Sequence, residues 1–380
     1  MLKVTKLITK FIDERFWLII LFAFLFHLFL ILYFSITDFI SHDISIWYEI
    51  SKNLDKEIPF ISTNRFVTGA TEYPPLFTYF LTIFYPIAKF GRTAFMIAFG
   101  IVQLFCWLGL VLLLSKMLKN KLRILGFALA PTVIVFLSRR FDLLPTFLVL
   151  FSIYLWVRKK EKISGVVTAA ASSLKVYPVT LLLSFLKTKG KNLLQFTIYF
   201  SLTFLLIFLP VLFFQPTTIF FPLKQGDYRD DTFVGILRLS GFKIDTSFAT
   251  IVSIIFLIVL VGLAFFKAHS FLGRTVALII PLVLTHHYFS PQWNLWFLPL
   301  LILSYIDLTK ILTFDFISAL PFMWGKIAEI TGFYPELFSL NSYPSTLLIL
   351  LRYAFFLYFY VKAIRCEKFG NKQMIFTELI

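Results

Sequence analysis

The chain has 380 residues, is 59% hydrophobic and carries 50 phenylalanines, a composition that excludes a soluble globular domain. Its formal net charge is +16; in so apolar a chain this is a topology signal, not the footprint of nucleic acid, and no nucleic-acid partner is expected. Two cysteines, Cys106 in an apolar run and Cys366 near the C-terminus, supply neither a disulfide framework nor a metal spacing.

Apolar runs of about 16–22 residues recur from end to end, which predicts an all-α polytopic protein held in a lipid bilayer. Lys3, Lys6, Lys10 and Arg15 precede the first run, 16–36, and place the N-terminus in the cytoplasm. That run is too long for a signal-peptide core and lacks a small-residue cleavage site, so it reads as an uncleaved signal anchor. The stretch 37–76 is then outside. It holds six carboxylates (Asp38, Asp43, Glu49, Asp55, Glu57, Glu72) against Lys52, Lys56 and Arg65, the density expected of a site-bearing loop. It closes on Glu72-Tyr73-Pro74-Pro75, an extended turn fixed by the two prolines. The next segment, 76–90, is short and interrupted by Pro86. As a full span it would put Lys116, Lys119, Lys121 and Arg123 outside, so it is read as a re-entrant or interfacial helix on the outer face, with 93–115 running inward.

Two short hairpins follow. The first has limbs 124–138 and 142–157, with Arg139-Arg140-Phe141-Asp142 at its outer apex. The second has limbs 163–174 and 177–186 around Lys175-Val176-Tyr177-Pro178. Each limb of the second is about 10–12 residues, half a span, so its tip lies within the outer half of the membrane. Non-helical backbone at that depth must face protein or a water-filled cavity. Segment 193–214 leads to a second outer loop, 215–247, with Lys224, Asp227, Arg229, Asp230, Asp231 and Arg238. Segments 248–267, 271–285, 292–305, 309–325 and 346–361 complete a single transmembrane domain over 1–380. It has about twelve membrane segments, re-entrant hairpins included, and both termini are cytoplasmic. In this topology 22 of the 36 basic residues lie inside, while most acids lie outside and call for a site.

Ionisable residues at membrane depth are functional hypotheses by default. Here Asp43, Glu72, Arg139, Arg140, Asp142, Lys175, His286, His287 and Arg352 converge on the outer face. Trp47 and Tyr48 follow Asp43 at helical spacing, so Asp43 begins a short amphipathic helix. It is either an N-cap or a general base whose pKa is set by an apolar wall. Lys175 either snorkels outward or meets an anion. Arg139 and Arg140 are hairpin anchors or bidentate phosphate ligands, and Arg352, inside the last helix, needs a carboxylate or a phosphate. His286 and His287 are adjacent, face different directions and have no third ligand at useful spacing, so no metal is expected there. No P-loop, G-x-G-x-x-G or G-x-S-x-G motif occurs, which argues against a nucleotide substrate.

Several stretches, in order, resemble the GT-C superfamily of membrane glycosyltransferases, in its bacterial and archaeal mannosyltransferase-like branches. They are Asp43-Ile44-Ser45 with Trp47-Tyr48, Ile58-Pro59-Phe60, Glu72-Tyr73-Pro74-Pro75-Leu76, Arg140-Phe141-Asp142-Leu143-Leu144-Pro145, Ser173-Leu174-Lys175-Val176-Tyr177-Pro178, and Ser290-Pro291-Gln292-Trp293 leading to Leu298-Pro299-Leu300. The resemblance covers roughly residues 38–300. It implies a GT-C-like helical bundle in the cell membrane with its active site on the outer face. It also implies transfer of a sugar, mannose by the family's weight, from a polyprenyl-phosphate donor to a hydroxyl of a glycan or glycolipid.

The family's catalytic base maps onto Asp43, with Asp38 the nearby alternative, although the two are not spaced as a tight Asp-x-Asp pair. Lys175, Arg139, Arg140 and Arg352 would hold the donor phosphate. Glu72, Tyr73, Asp142, Tyr177, His286, His287 and Gln292 would contact substrate. The chemistry fits on its own terms: a phosphate leaves as an anion and needs cations, the acceptor needs one base, and a single displacement inverts the anomeric centre. No cofactor is called for. The rival class is transport, as a lipid-linked sugar flippase or secondary carrier, for which broken helices and intramembrane charge are also typical.

Overall fold

A computed structural model describes residues 2–37, 42–54, 73–187, 191–214, 228, 232–331 and 343–370. Regular structure among them is helix alone, apart from an isolated bridge between Ser304 and Gly370. Among the described residues five helices are long and apolar enough to cross a membrane: Lys10–Ile36, Arg92–Met117, Asn192–Phe213, Thr246–Lys267 and Thr346–Arg365. The protein is therefore an all-α polytopic membrane protein. Leu143–Val157, Tyr177–Leu186 and Phe271–Leu284 are apolar but shorter than a span.

The chain forms two compact units. The first comprises Met1–Leu129 and Phe136–Lys224. Its helices are α1 (Leu2–Ile36), α2 (His42–Lys52), α3 (Pro75–Thr82), α4 (Tyr85–Ala88), α5 (Arg92–Met117) and α6 (Lys121–Ala128). After α7 (Pro131–Phe136), which belongs almost wholly to the second unit, it continues with α8 (Leu143–Val157), α9 (Glu161–Leu174), α10 (Thr180–Leu186) and α11 (Lys191–Phe214). The expected single limb 124–138 is thus two helices. Pro131 supplies no N–H and pushes the residue before it out of the helical region, so the break falls at Leu129–Ala130. The freed carbonyl of Ala128 is not wasted: it accepts from Trp107 Nε1 at 3.2 Å and from His27 Nε2 at 3.3 Å. Segment 76–90 is likewise two helices, α3 and α4, with Pro86 in the first turn of the second.

Small residues set the closest approaches, as expected where lipid supplies no hydrophobic drive between helices. A Cβ on Gly165 of α9 would run into the Phe196 carbonyl of α11. Hydroxyls join α8 to α9: Ser152 Oγ lies 2.9 Å from Ser164 Oγ and 2.5 Å from Thr168 Oγ1. Each of these groups finds a partner inside the helix pair, so none is left in an apolar interior.

The second unit comprises Ala130–Val135 and Gln225–Ile380. It contains α7, α12 (Phe233–Leu239), α13 (Thr246–Lys267), α14 (Phe271–Leu284), α15 (Asn294–Leu303), α16 (Leu308–Thr331) and α17 (Tyr343–Arg365). Its core is α14 and α15, buried along almost their whole length. A Cβ on Gly273 would lie 2.5 Å from the Ala363 carbonyl of α17, so this pair too is in near-backbone contact.

Candidate functional site

Phe141 anchors the site. Its ring centroid lies 4.2 Å from Phe77, 5.1 Å from Tyr73 and 5.5 Å from Trp47. Trp47 is 2% exposed and packs in turn on Phe77 at 5.2 Å and Phe99 at 5.3 Å. This cluster fixes α2, the Tyr73–Pro75 turn, α5 and the start of α8 around one point, each aromatic pair adding about 0.5–1.5 kcal/mol to its burial. With Phe141 held, the charges beside it in sequence are held too.

On one side, Arg140 forms an ion pair with Asp43. Both are partly open, at 14% and 25% side-chain exposure. Asp43 sits in the first turn of α2, where a carboxylate also favours the helix dipole. On the other side, Asp142 accepts from Lys175 Nζ at 2.5 Å and is itself 1% exposed. The ammonium lies 4.7 Å over the Phe141 ring and 6.0 Å over Tyr73. Lys175 stands in the turn between α9 and the 3-10 turn Tyr177–Val179, outside the five spans. Burial pulls its ammonium below the ordinary lysine range, and the Asp142 carboxylate opposes that pull.

Tyr177 completes the link between the two tips. Its hydroxyl lies 3.1 Å from Thr146 Oγ1, which donates to the Asp142 carbonyl at 2.7 Å. Arg139 stacks over Phe34 of α1, 4.1 Å from the ring centroid. The Arg-Phe-Asp and Lys-Val-Tyr-Pro tips thus come together with Asp43 and Tyr73, as one constellation within the first unit. Among the described residues it holds three cations and two carboxylates, a formal charge of +1.

Tyr73 also lines an apolar groove of about 620 Å³. The groove runs between the Pro74-Pro75 turn, Ser172 and Val176 on one wall and Phe204 and its neighbours on α11. That size suits a ligand chain. Along α11, Phe196, Phe200, Phe204 and Phe208 stack in succession, the last pair at 4.2 Å. Tyr79 of α3 bonds the Ile207 carbonyl of α11 at 3.3 Å and ties the two walls together.

The second unit gathers the remaining candidates. His286 and His287 stack at 4.3 Å, and His286 meets Trp293 edge-on at 4.9 Å. Gln292 is hydrogen-bonded to Ser290. Arg352 is 3% exposed and lies 3.7 Å over the Phe289 ring. Asp38 and Glu72 lie outside the described residues, as do Lys224, Asp227, Arg229, Asp230 and Asp231 of the second loop. Among the described residues no three His, Cys, Asp or Glu side chains gather as a metal site.

The anion that Lys175 meets in the structure is the Asp142 carboxylate, and Arg140, expected as a hairpin anchor or a phosphate ligand, pairs with Asp43. Sequence reasoning missed Thr146 and the α11 phenylalanine row, although the latter repeats every four residues, a signal visible in the chain. No family model matches the chain, and no curated protein matches it.

Proposed function

We propose that the protein is a glycosyltransferase that moves a sugar, mannose in the first instance, from a polyprenyl-phosphate donor to a hydroxyl of a glycan or glycolipid at the outer face of the cell membrane. One observation carries this reading. A half-open carboxylate–arginine pair and a buried carboxylate–lysine pair flank Phe141, and Tyr73 joins them to an apolar groove. A polar head with a long apolar tail fits that combination, and a soluble substrate does not use the groove. The resemblance to GT-C enzymes supports the same donor class.

In this reaction the acceptor oxygen attacks the anomeric carbon and gives its proton to Asp43. The bond from that carbon to the phosphate oxygen breaks, and the electron pair leaves with the phosphate. Arg140, Arg139 and Lys175 offset the charge that develops there. The phosphate competes with Asp43 for Arg140 and so frees the carboxylate as base. One displacement inverts the anomeric centre. The phosphate is a good leaving group, so no general acid is required.

Purified protein in detergent, given radiolabelled polyprenyl-phosphate mannose and a lipid extract of the host, is expected to produce a labelled product of inverted configuration. Absence of transfer, together with movement of the labelled lipid across the bilayer of reconstituted liposomes, would replace this reading with a flippase.

A further inference from the structure

The second unit holds a carboxylate that the proposed reaction leaves unused. Asp315 lies on α16 within an apolar stretch and is 0% exposed. It accepts from the Thr132 backbone N–H at 2.9 Å, from Thr132 Oγ1 at 2.7 Å and from Asn294 Nδ2 at 3.1 Å. All three donors are neutral, and among the described residues no lysine, arginine or histidine pairs with it. Hydrogen bonds offset only part of the cost of a buried charge, and burial is tolerated when the charge is paired or coordinates a cation.

Two more oxygens of this unit are buried without a hydrogen-bond partner: Asn294 Oδ1 and Ser318 Oγ. Asn294 is 0% and Ser318 1% exposed. The Asn294 oxygen belongs to the same planar amide whose nitrogen reaches Asp315. Ser318 stands one turn further along α16, on the face that carries Asp315, and helix side chains lean back toward the preceding turn. The start of α7, the first residue of α15 and the middle of α16 therefore bring together one carboxylate, one amide oxygen and two hydroxyls.

From this donor set we propose a buried site for a monovalent alkali cation, sodium being the ion to test. The ligands are all hard oxygens, which disfavours thiophilic and imidazole-seeking metals. The single negative charge matches a single positive one. A divalent ion would leave a net charge buried and ordinarily draws on more carboxylates. A cation held by Asp315, Asn294, Ser318 and Thr132 fastens α7 to α15 and α16, so its role is to stabilise the second unit.

The test is the melting temperature of the full-length protein in detergent, in sodium chloride against N-methylglucamine chloride at equal ionic strength. The expected result is a higher Tm in sodium that saturates as sodium is raised, as linkage requires. Asp315→Asn should abolish the sodium response. Ser318→Ala removes one ligand and leaves the carboxylate and its three donors in place; it should fold and need several-fold more sodium for the same shift. Equal Tm in the two salts for the wild-type protein, or an unchanged sodium titration in Ser318→Ala, would overturn the proposal. So would a Tm that ignores sodium and rises as pH falls, which would assign a proton to Asp315.

Discussion

Replacing Asp142 with leucine tests the rigid half of the constellation. Asp142 is 1% and Lys175 13% exposed, and the pair meets at 2.5 Å over the Phe141 ring. Removing the carboxylate takes an ion-pair partner from an ammonium in apolar surroundings. Breaking a buried pair on one side costs about 3–5 kcal/mol. The residual exposure of Lys175 eases the loss, which puts it at about 3 kcal/mol. The Thr146 hydrogen bond uses the Asp142 carbonyl and survives the change. Replacing both partners with apolar residues of similar size, Asp142→Leu with Lys175→Met, should cost about 1 kcal/mol or less, because a buried pair is worth little net against good packing. The cycle then closes with a coupling of about 2 kcal/mol or more. Reversible unfolding of the purified protein in mixed detergent micelles reads all four corners. Single losses below about 1 kcal/mol that simply add in the double variant would refute a desolvated pair at this position.

Three other outcomes follow from the packing. Phe141→Ala should destabilise the protein by about 3–5 kcal/mol, as truncations of buried phenylalanine do, and should abolish transfer by releasing both Arg140 and Asp142; denaturant midpoints and the transfer assay check it. Gly165→Ala places a methyl against the Phe196 carbonyl and should cost about 1–3 kcal/mol in spite of the better helix propensity of alanine, a sign that thermal melting will settle. Phe204→Asp puts a carboxylate on the wall of the groove; it should raise KM for a long-chain donor and leave kcat nearly unchanged, whereas a fall in kcat with constant KM would remove the groove from donor binding.

The helices were legible because lipid demands them. Each apolar run in the chain became a helix or a pair of helices, since backbone groups in an apolar medium must pair locally; the first helix begins 14 residues before its apolar run, at Leu2, and α16 runs six residues past its own, to Thr331. The breaks at Pro86 and Pro131 follow from the chemistry of proline; the sequence analysis used the first and passed over the second. The pairings could not be read in advance. Nothing local in the chain joins Asp43 to Arg140 or Asp142 to Lys175, because those partners meet only when α2, the start of α8 and the end of α9 pack around Phe141. The same holds for Asp315: a carboxylate inside an apolar run announces a cost, but only the fold supplies Thr132 and Asn294. The division into two units was also silent in the sequence, where segment 130–135 looks like part of its neighbours and is bound instead to Asp315.

The role of Asp43 is open to a direct measurement: transfer from radiolabelled polyprenyl-phosphate mannose by the wild-type protein and by Asp43→Asn, with folding of the variant verified by its melting curve. Asparagine keeps the shape of the side chain and takes no proton from an attacking hydroxyl. The account predicts transfer by the wild-type protein and none above background by a folded Asp43→Asn. Equal transfer by both would contradict it and take Asp43 out of the mechanism.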